Sequence, residues 1–150
     1  MTPASGPLRH PVLLRLVQVA VGCVFLAAAL GKIGDLTAFA LQVHNYRLAP
    51  VWSEHLIAMT LPWVELLTGL ALLLGLQARS GAVIALGLML VFTAAVASAW
   101  ARGLDFECGC FGKAVAGKIG AKKFAENAGL TLLAGLALIR PRGGSSLGSA

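Results

Sequence analysis

The chain has 150 residues, of which 58% are hydrophobic and 12% charged, with a formal net charge of +6 and a mean hydropathy of +0.84. A water-soluble fold of this size carries about 25% charged residues to solvate its surface, so the composition excludes a soluble enzyme and indicates an all-α integral membrane protein. The twelve Lys and Arg are scattered between apolar blocks as membrane flanks are, so the expected partner is the lipid bilayer and not nucleic acid.

Four apolar blocks predict transmembrane helices at about 11–31, 56–76, 80–101 and 123–139, since roughly 20 residues cross a bilayer. The first is uncharged between Arg15 and Lys32 and longer than the apolar run of a cleaved leader, so it reads as a span. After it, Asp35 can cap a short helix whose Leu36, Phe39, Ala40, Val43 and Tyr46 share one face, stopped by Ala49-Pro50. That pattern predicts an interfacial helix in the headgroup plane between spans one and two. The second block is interrupted only by Glu65, the third carries no charge, and the short fourth has Glu126 and Asn127 in its first turn.

Unbroken apolar runs favour a four-helix bundle over a barrel of alternating strands. Gly22, Gly69, Gly81, Gly87, Gly129 and Gly135 fall along the spans, where small residues let helices approach. Residues 1–140 form one transmembrane domain, and the Gly/Ser-rich tail from Pro141 to Ala150 reads as disordered. Tyr46, Trp52, Trp63 and Trp100 fall toward one side, as an aromatic belt does. The Lys and Arg tally leans toward a cytoplasmic side for the long loops, but charge alone leaves the orientation open.

The chemistry is concentrated in Glu107-Cys108-Gly109-Cys110-Phe111-Gly112. Two cysteines one residue apart can close a small, reducible disulfide ring, and Gly109 permits the backbone bend it needs. Lys113 and Lys118 nearby would favour the thiolate, the attacking species. A soft metal ion bound by the pair, or a static structural disulfide, is the alternative. Cys23 lies mid-span, where a free cysteine most often packs. Glu65 is an ionisable group within a span and hence a functional candidate, competing with a role in closing a helix end after Pro62; Lys32 and Asp35 are its nearest partners. Asn127 can hydrogen-bond across the bundle, whereas nothing in the spacing makes His44 or His55 metal ligands.

These residues occur in an order that resembles the MauE/DoxX-like family of redox-associated membrane proteins. The resemblance rests on Gly31-Lys32 followed by Phe39 and Tyr46 to Pro50, on Leu61-Pro62-Trp63-Val64-Glu65, on Cys108-Gly109-Cys110-Phe111-Gly112, and on Asn127. It covers about residues 12–140, and the family's Arg-Asn before the last span is Glu126-Asn127 here.

The resemblance implies a four-helix membrane protein whose extracytoplasmic Cys108 and Cys110 exchange electrons with a thioredoxin-like partner. It places both termini in the cytoplasm, in a plasma (inner) membrane, against the lean of the charge tally; a disulfide exchanger needs an oxidising compartment. In methylamine-utilising bacteria such a protein supports maturation of the disulfide-rich small subunit of methylamine dehydrogenase. The expected mechanism is a dithiol–disulfide cycle at Cys108 and Cys110, with electrons passing to a membrane acceptor. A quinone between the helices near Glu65 and Trp63 is the candidate, with Lys32 and Asn127 beside it and Cys23 as a relay. The competing expectation is a soft-metal (Hg, Cu or Zn) transporter using Cys108, Cys110 and Cys23, with Glu65 at a second site.

Overall fold

The computed structural model describes residues 11–110 and 117–138, and among them finds five helices and a single isolated bridge, Glu107 to Lys118. The helices are α1 (Pro11–Ile33), α2 (Leu36–Tyr46), α3 (Val51–Leu74), α4 (Ala78–Ala101) and α5 (Ala121–Leu136). The predicted tail, Phe111, Gly112 and Lys113 lie outside the described residues.

Three helices, α1, α3 and α4, are long and apolar enough to cross a membrane, and the chain is a multi-pass membrane protein. The fourth expected span is present as α5, but its 16 residues rise only about 24 Å, less than the roughly 30 Å hydrocarbon core. Three rather than four of the described helices therefore meet the requirement of a span.

α3 begins earlier than its hydropathy indicates. Pro50 occupies the N-cap in extended conformation, where its missing N–H costs nothing, and its carbonyl accepts from the Ser53 N–H and hydroxyl, each at 2.8 Å. Pro62 and Glu65 are consequently not at the opening of the helix but three to four turns inside it. α2 forms where Asp35 predicts, its carboxylate accepting from the Ala38 N–H at 3.0 Å. It ends at Arg47 in the left-handed region, and His44 Nδ1 to Glu54 at 2.9 Å ties it to α3.

α1 and α3 make the most extensive helix pair, and their backbones touch at one crossing. A Cβ on Gly69 would lie 2.9 Å from the Gly22 carbonyl oxygen, and one on Gly22 3.0 Å from the Gly69 oxygen. Gly87, Gly129 and Gly135 have nothing within 4 Å of such a Cβ, so there glycine is not required for packing. Arg15 reaches from α1 to the end of α3 and donates to the carbonyls of Leu72 at 2.8 Å and Leu73 at 2.5 Å, satisfying groups that a helix C-terminus leaves open. Val21, Phe25, Leu72, Met89, Phe92 and Val96 form the shared core. α5 packs on α4, joined by a 2.9 Å contact between the Thr93 and Thr131 hydroxyls.

Candidate functional site

Beyond α4 the chain folds back over the end of the bundle. The Cys108 N–H donates to Gly117 O and the Ile119 N–H to Phe106 O, at 3.0 and 3.1 Å. This two-sided tie fixes a loop whose Gly109 has φ +64°, a conformation that disfavours residues with a Cβ. A Cβ there would also fall 1.9 Å from the Gln42 amide oxygen of α2. Gly109 thus lies against α2, and the cysteines on either side of it are buried, Cys108 1% and Cys110 5% exposed, as free thiols.

Side chains of three helices contact the pair directly. From α2, the Tyr46 hydroxyl lies 2.8 Å from the Cys108 carbonyl, 3.0 Å from Cys108 Sγ and 3.5 Å from Cys110 Sγ. Its ring meets Phe106 edge-on at 4.9 Å between centroids. From α1, the Lys32 ammonium donates to both Glu65 carboxylate oxygens, at 2.6 and 2.8 Å, and to the Cys110 carbonyl at 2.5 Å. Those three acceptors match the three donors of an ammonium, and Phe39 and Phe92 each place a ring centroid 5.1 Å from it. From α5, the fully buried Asn127 directs Nδ2 toward Cys110 Sγ at 3.9 Å, while its Oδ1 has no partner among the described residues.

The two thiols are not equivalent. Cys108 is pushed down to about 6 by the hydrogen bond it receives from the Cys110 thiol, with the Tyr46 hydroxyl and the Lys123 charge acting in the same direction against burial. Cys110 is pushed well above the ordinary thiol range because it holds the proton it shares with Cys108, and because it is buried. Burial, followed by the nearby sulfurs, raises the Tyr46 phenol and keeps it a donor. The positive charge nearest in effect comes from the buried Lys123, not from Lys118, which is exposed and pairs with Asp105 at 3.3 Å.

An apolar cavity of about 140 Å³ reaches the pair from between α2, α3 and α4. Tyr46, Phe39, Leu61, Phe92 and both cysteines are in its wall.

The family described as "Methylamine utilisation protein MauE" matches residues 10–140. The chain belongs to the MauE family. It is 36% identical to "Methylamine utilization protein MauE" of Methylorubrum extorquens over 136 residues, 89% of this chain and 73% of that protein. With the protein of the same name from Paracoccus denitrificans it is 35% identical over 103 residues, 68% of this chain and 55% of that one. With that of Paracoccus versutus the identity is 32% over 136 residues. No solved structure matches. Lys32, Tyr46, Glu65, Cys108, Cys110 and Asn127 all fall within the MauE-family segment.

The structure brings together five of the residues singled out from the sequence (Lys32, Glu65, Cys108, Cys110 and Asn127) and leaves two apart. Cys23 is exposed on α1, nine residues from Lys32, which is about two and a half turns away and on the opposite face; it is not packed in the core as expected. The three thiols do not meet, and no cluster of three His, Cys, Asp or Glu that could hold a metal occurs among the described residues. Trp63 is 53% exposed, about 200° around α3 from Glu65, and Glu65 is closed off by Lys32. The space that reaches the sulfurs is the cavity at Tyr46, away from Trp63.

Sequence reasoning missed Tyr46 as a site residue, placing it in the aromatic belt. Its position on the same helical face as Phe39 and Val43, which also line the cavity, was the available signal.

Proposed function

We propose that this MauE-family chain is a membrane thiol–disulfide redox protein in which Cys108 and Cys110 cycle between dithiol and disulfide. They would pass electrons between an extracytoplasmic thioredoxin-like or substrate protein and an acceptor in the bilayer. The observation that carries the reading is the unequal pair of buried thiols bridged by the Tyr46 hydroxyl. Exchange needs a thiolate to attack, and the Tyr46 hydroxyl 3.0 Å from Cys108 Sγ favours one there.

The acceptor in this reading is a quinone, a lipid-soluble carrier of two electrons and two protons. The 140 Å³ cavity resembles in size the apolar cavity of about 150 Å³ that accommodates a benzene ring, and it is walled by apolar side chains together with both cysteines. α5 serves as the fourth span and α2 lies in the headgroup plane. Both termini are cytoplasmic, and the cysteine loop faces the oxidising side of the plasma membrane. By the names of its relatives the process served is methylamine utilisation; in this reading the chain serves it through disulfide formation in the small subunit of methylamine dehydrogenase.

The test is alkylation of intact cells with a membrane-impermeant, mass-shifting maleimide, with and without reductant. Labelling of the wild type only after reduction, with Cys110 reactive unreduced in Cys108→Ser, is the expected result. Thiols that remain free without reductant, or that only a permeant reagent reaches, would overturn the proposal.

A further inference from the structure

We infer that Tyr46 divides the labour between the two thiols: its hydroxyl stabilises charge on Cys108 Sγ, making Cys108 the attacking sulfur and leaving Cys110 to resolve. This rests on the dithiol–disulfide reading above and adds to it a residue and a direction.

The geometry carries the assignment. A phenol has one proton to donate, and here two acceptors of one residue compete for it, the Cys108 carbonyl at 2.8 Å and Cys108 Sγ at 3.0 Å. While Cys108 is protonated, the carbonyl is the better acceptor. Once the sulfur is a thiolate, the hydroxyl can turn toward it and form a charge-assisted bond, which is stronger than a neutral one. The interaction therefore favours the ionised form of Cys108 over the neutral one, and that difference lowers a pKa. Cys110 Sγ lies farther from the same oxygen, at 3.5 Å, and its one S–H is the proton it shares with Cys108 Sγ. Cys110 is held as the protonated partner by the arrangement that charges Cys108.

The remaining charged groups around the pair act at longer range or on the backbone. Lys32 of α1, with Glu65 of α3 as counter-ion, holds the Cys110 carbonyl. Lys123 of α5 pairs with Glu126 at 3.1 Å, and Arg102 at the end of α4 donates to the Tyr46 carbonyl. Among the described contacts, Tyr46 supplies the hydrogen bond from a helix to Cys108 Sγ in the loop.

The chemistry balances as two displacements. The Cys108 thiolate attacks a partner disulfide, forming a Cys108–partner bond as the partner's S–S bond breaks and its second sulfur departs as thiolate. That thiolate takes the proton of Cys110. The Cys110 sulfur then attacks Cys108, closing the Cys108–Cys110 disulfide and releasing the partner's first sulfur as thiolate. Two electrons have passed from the pair to the partner. Oxidation of a partner dithiol runs through the same mixed disulfide in reverse.

The experiment is iodoacetamide alkylation of the reduced full-length protein in lipid nanodiscs across pH, with the site of each adduct read by mass spectrometry, for wild type and Tyr46→Phe. In the wild type the first adduct is expected on Cys108, with a rate midpoint near pH 6. In Tyr46→Phe, which keeps the ring against Phe106, the midpoint rises by about one unit and the rate below it falls about tenfold, the size of a hydrogen bond to a charged group. An unchanged midpoint overturns the proposal. So does a first adduct on Cys110 in the wild type, which needs no variant and holds whether or not Tyr46→Phe folds. The two readings also fail separately. Cys108-selective alkylation with no disulfide in cells would sink the redox cycle alone. A Tyr46→Phe protein with wild-type alkylation that still oxidises with diamide would sink the role of Tyr46 alone.

Discussion

Lys32 is 2% exposed and Glu65 is fully buried, and their pairing explains a charge that hydropathy alone makes costly. Removing one member leaves the other charge buried and uncompensated, at about 3–5 kcal/mol. Lys32→Met and Glu65→Gln are each expected to lower the thermal midpoint of the purified protein by an amount consistent with that loss. Lys32→Met combined with Glu65→Leu should recover much of it, because an apolar pair of similar volume replaces both charges. If the double variant is no more stable than the singles, the carbonyl held at Cys110 matters more than the charges. Cys23, exposed and on the far face of α1, gives the opposite expectation: Cys23→Ser should leave the redox state of the loop pair in the maleimide assay unchanged.

At the scale of elements, two glycines are decided by what lies against them. Gly69 meets backbone atoms of α1, which cannot move aside as a side chain can. Gly69→Ala is therefore expected to separate α1 from α3 and to destabilise the protein more than Gly129→Ala, where a Cβ meets nothing; parallel thermal unfolding compares them. Gly109 carries two costs of different origin. Its left-handed backbone penalises a Cβ by about 1–2 kcal/mol, and Gln42 occupies the space. Gly109→Ala should lose stability that Gln42→Ala restores only in part, since the second change relieves the overlap and not the dihedral angle. The short helix α2 was legible because Asp35, an apolar face and Pro50 are local signals. The start of α3 was not, because Val51 to His55 is polar enough to hide a helix whose beginning is set by Pro50 and the pairing of Glu54 with His44.

For the whole molecule, the proposed topology puts the cysteine loop on the extracytoplasmic side. In a cysteine-free background, Lys118→Cys is expected to react with an impermeant maleimide in intact cells and Ser80→Cys is not. The reverse pattern would put the pair in a reducing compartment and remove the basis for a stable disulfide there.

Membrane residence, the apolar helices, the short capped helix and the choice of Cys108-Gly109-Cys110 as the candidate site follow from the sequence, because hydropathy, capping and a dense cysteine motif act over neighbouring residues. The partner of Glu65, the outward position of Cys23 and the place of Tyr46 against two sulfurs 62 and 64 residues away were decided only by the tertiary structure. Helical periodicity says which residues share a face but not which face meets which. Here the chain's return after α4, together with the close crossing of α1 and α3, brings a lysine, a phenol and two thiols to one point.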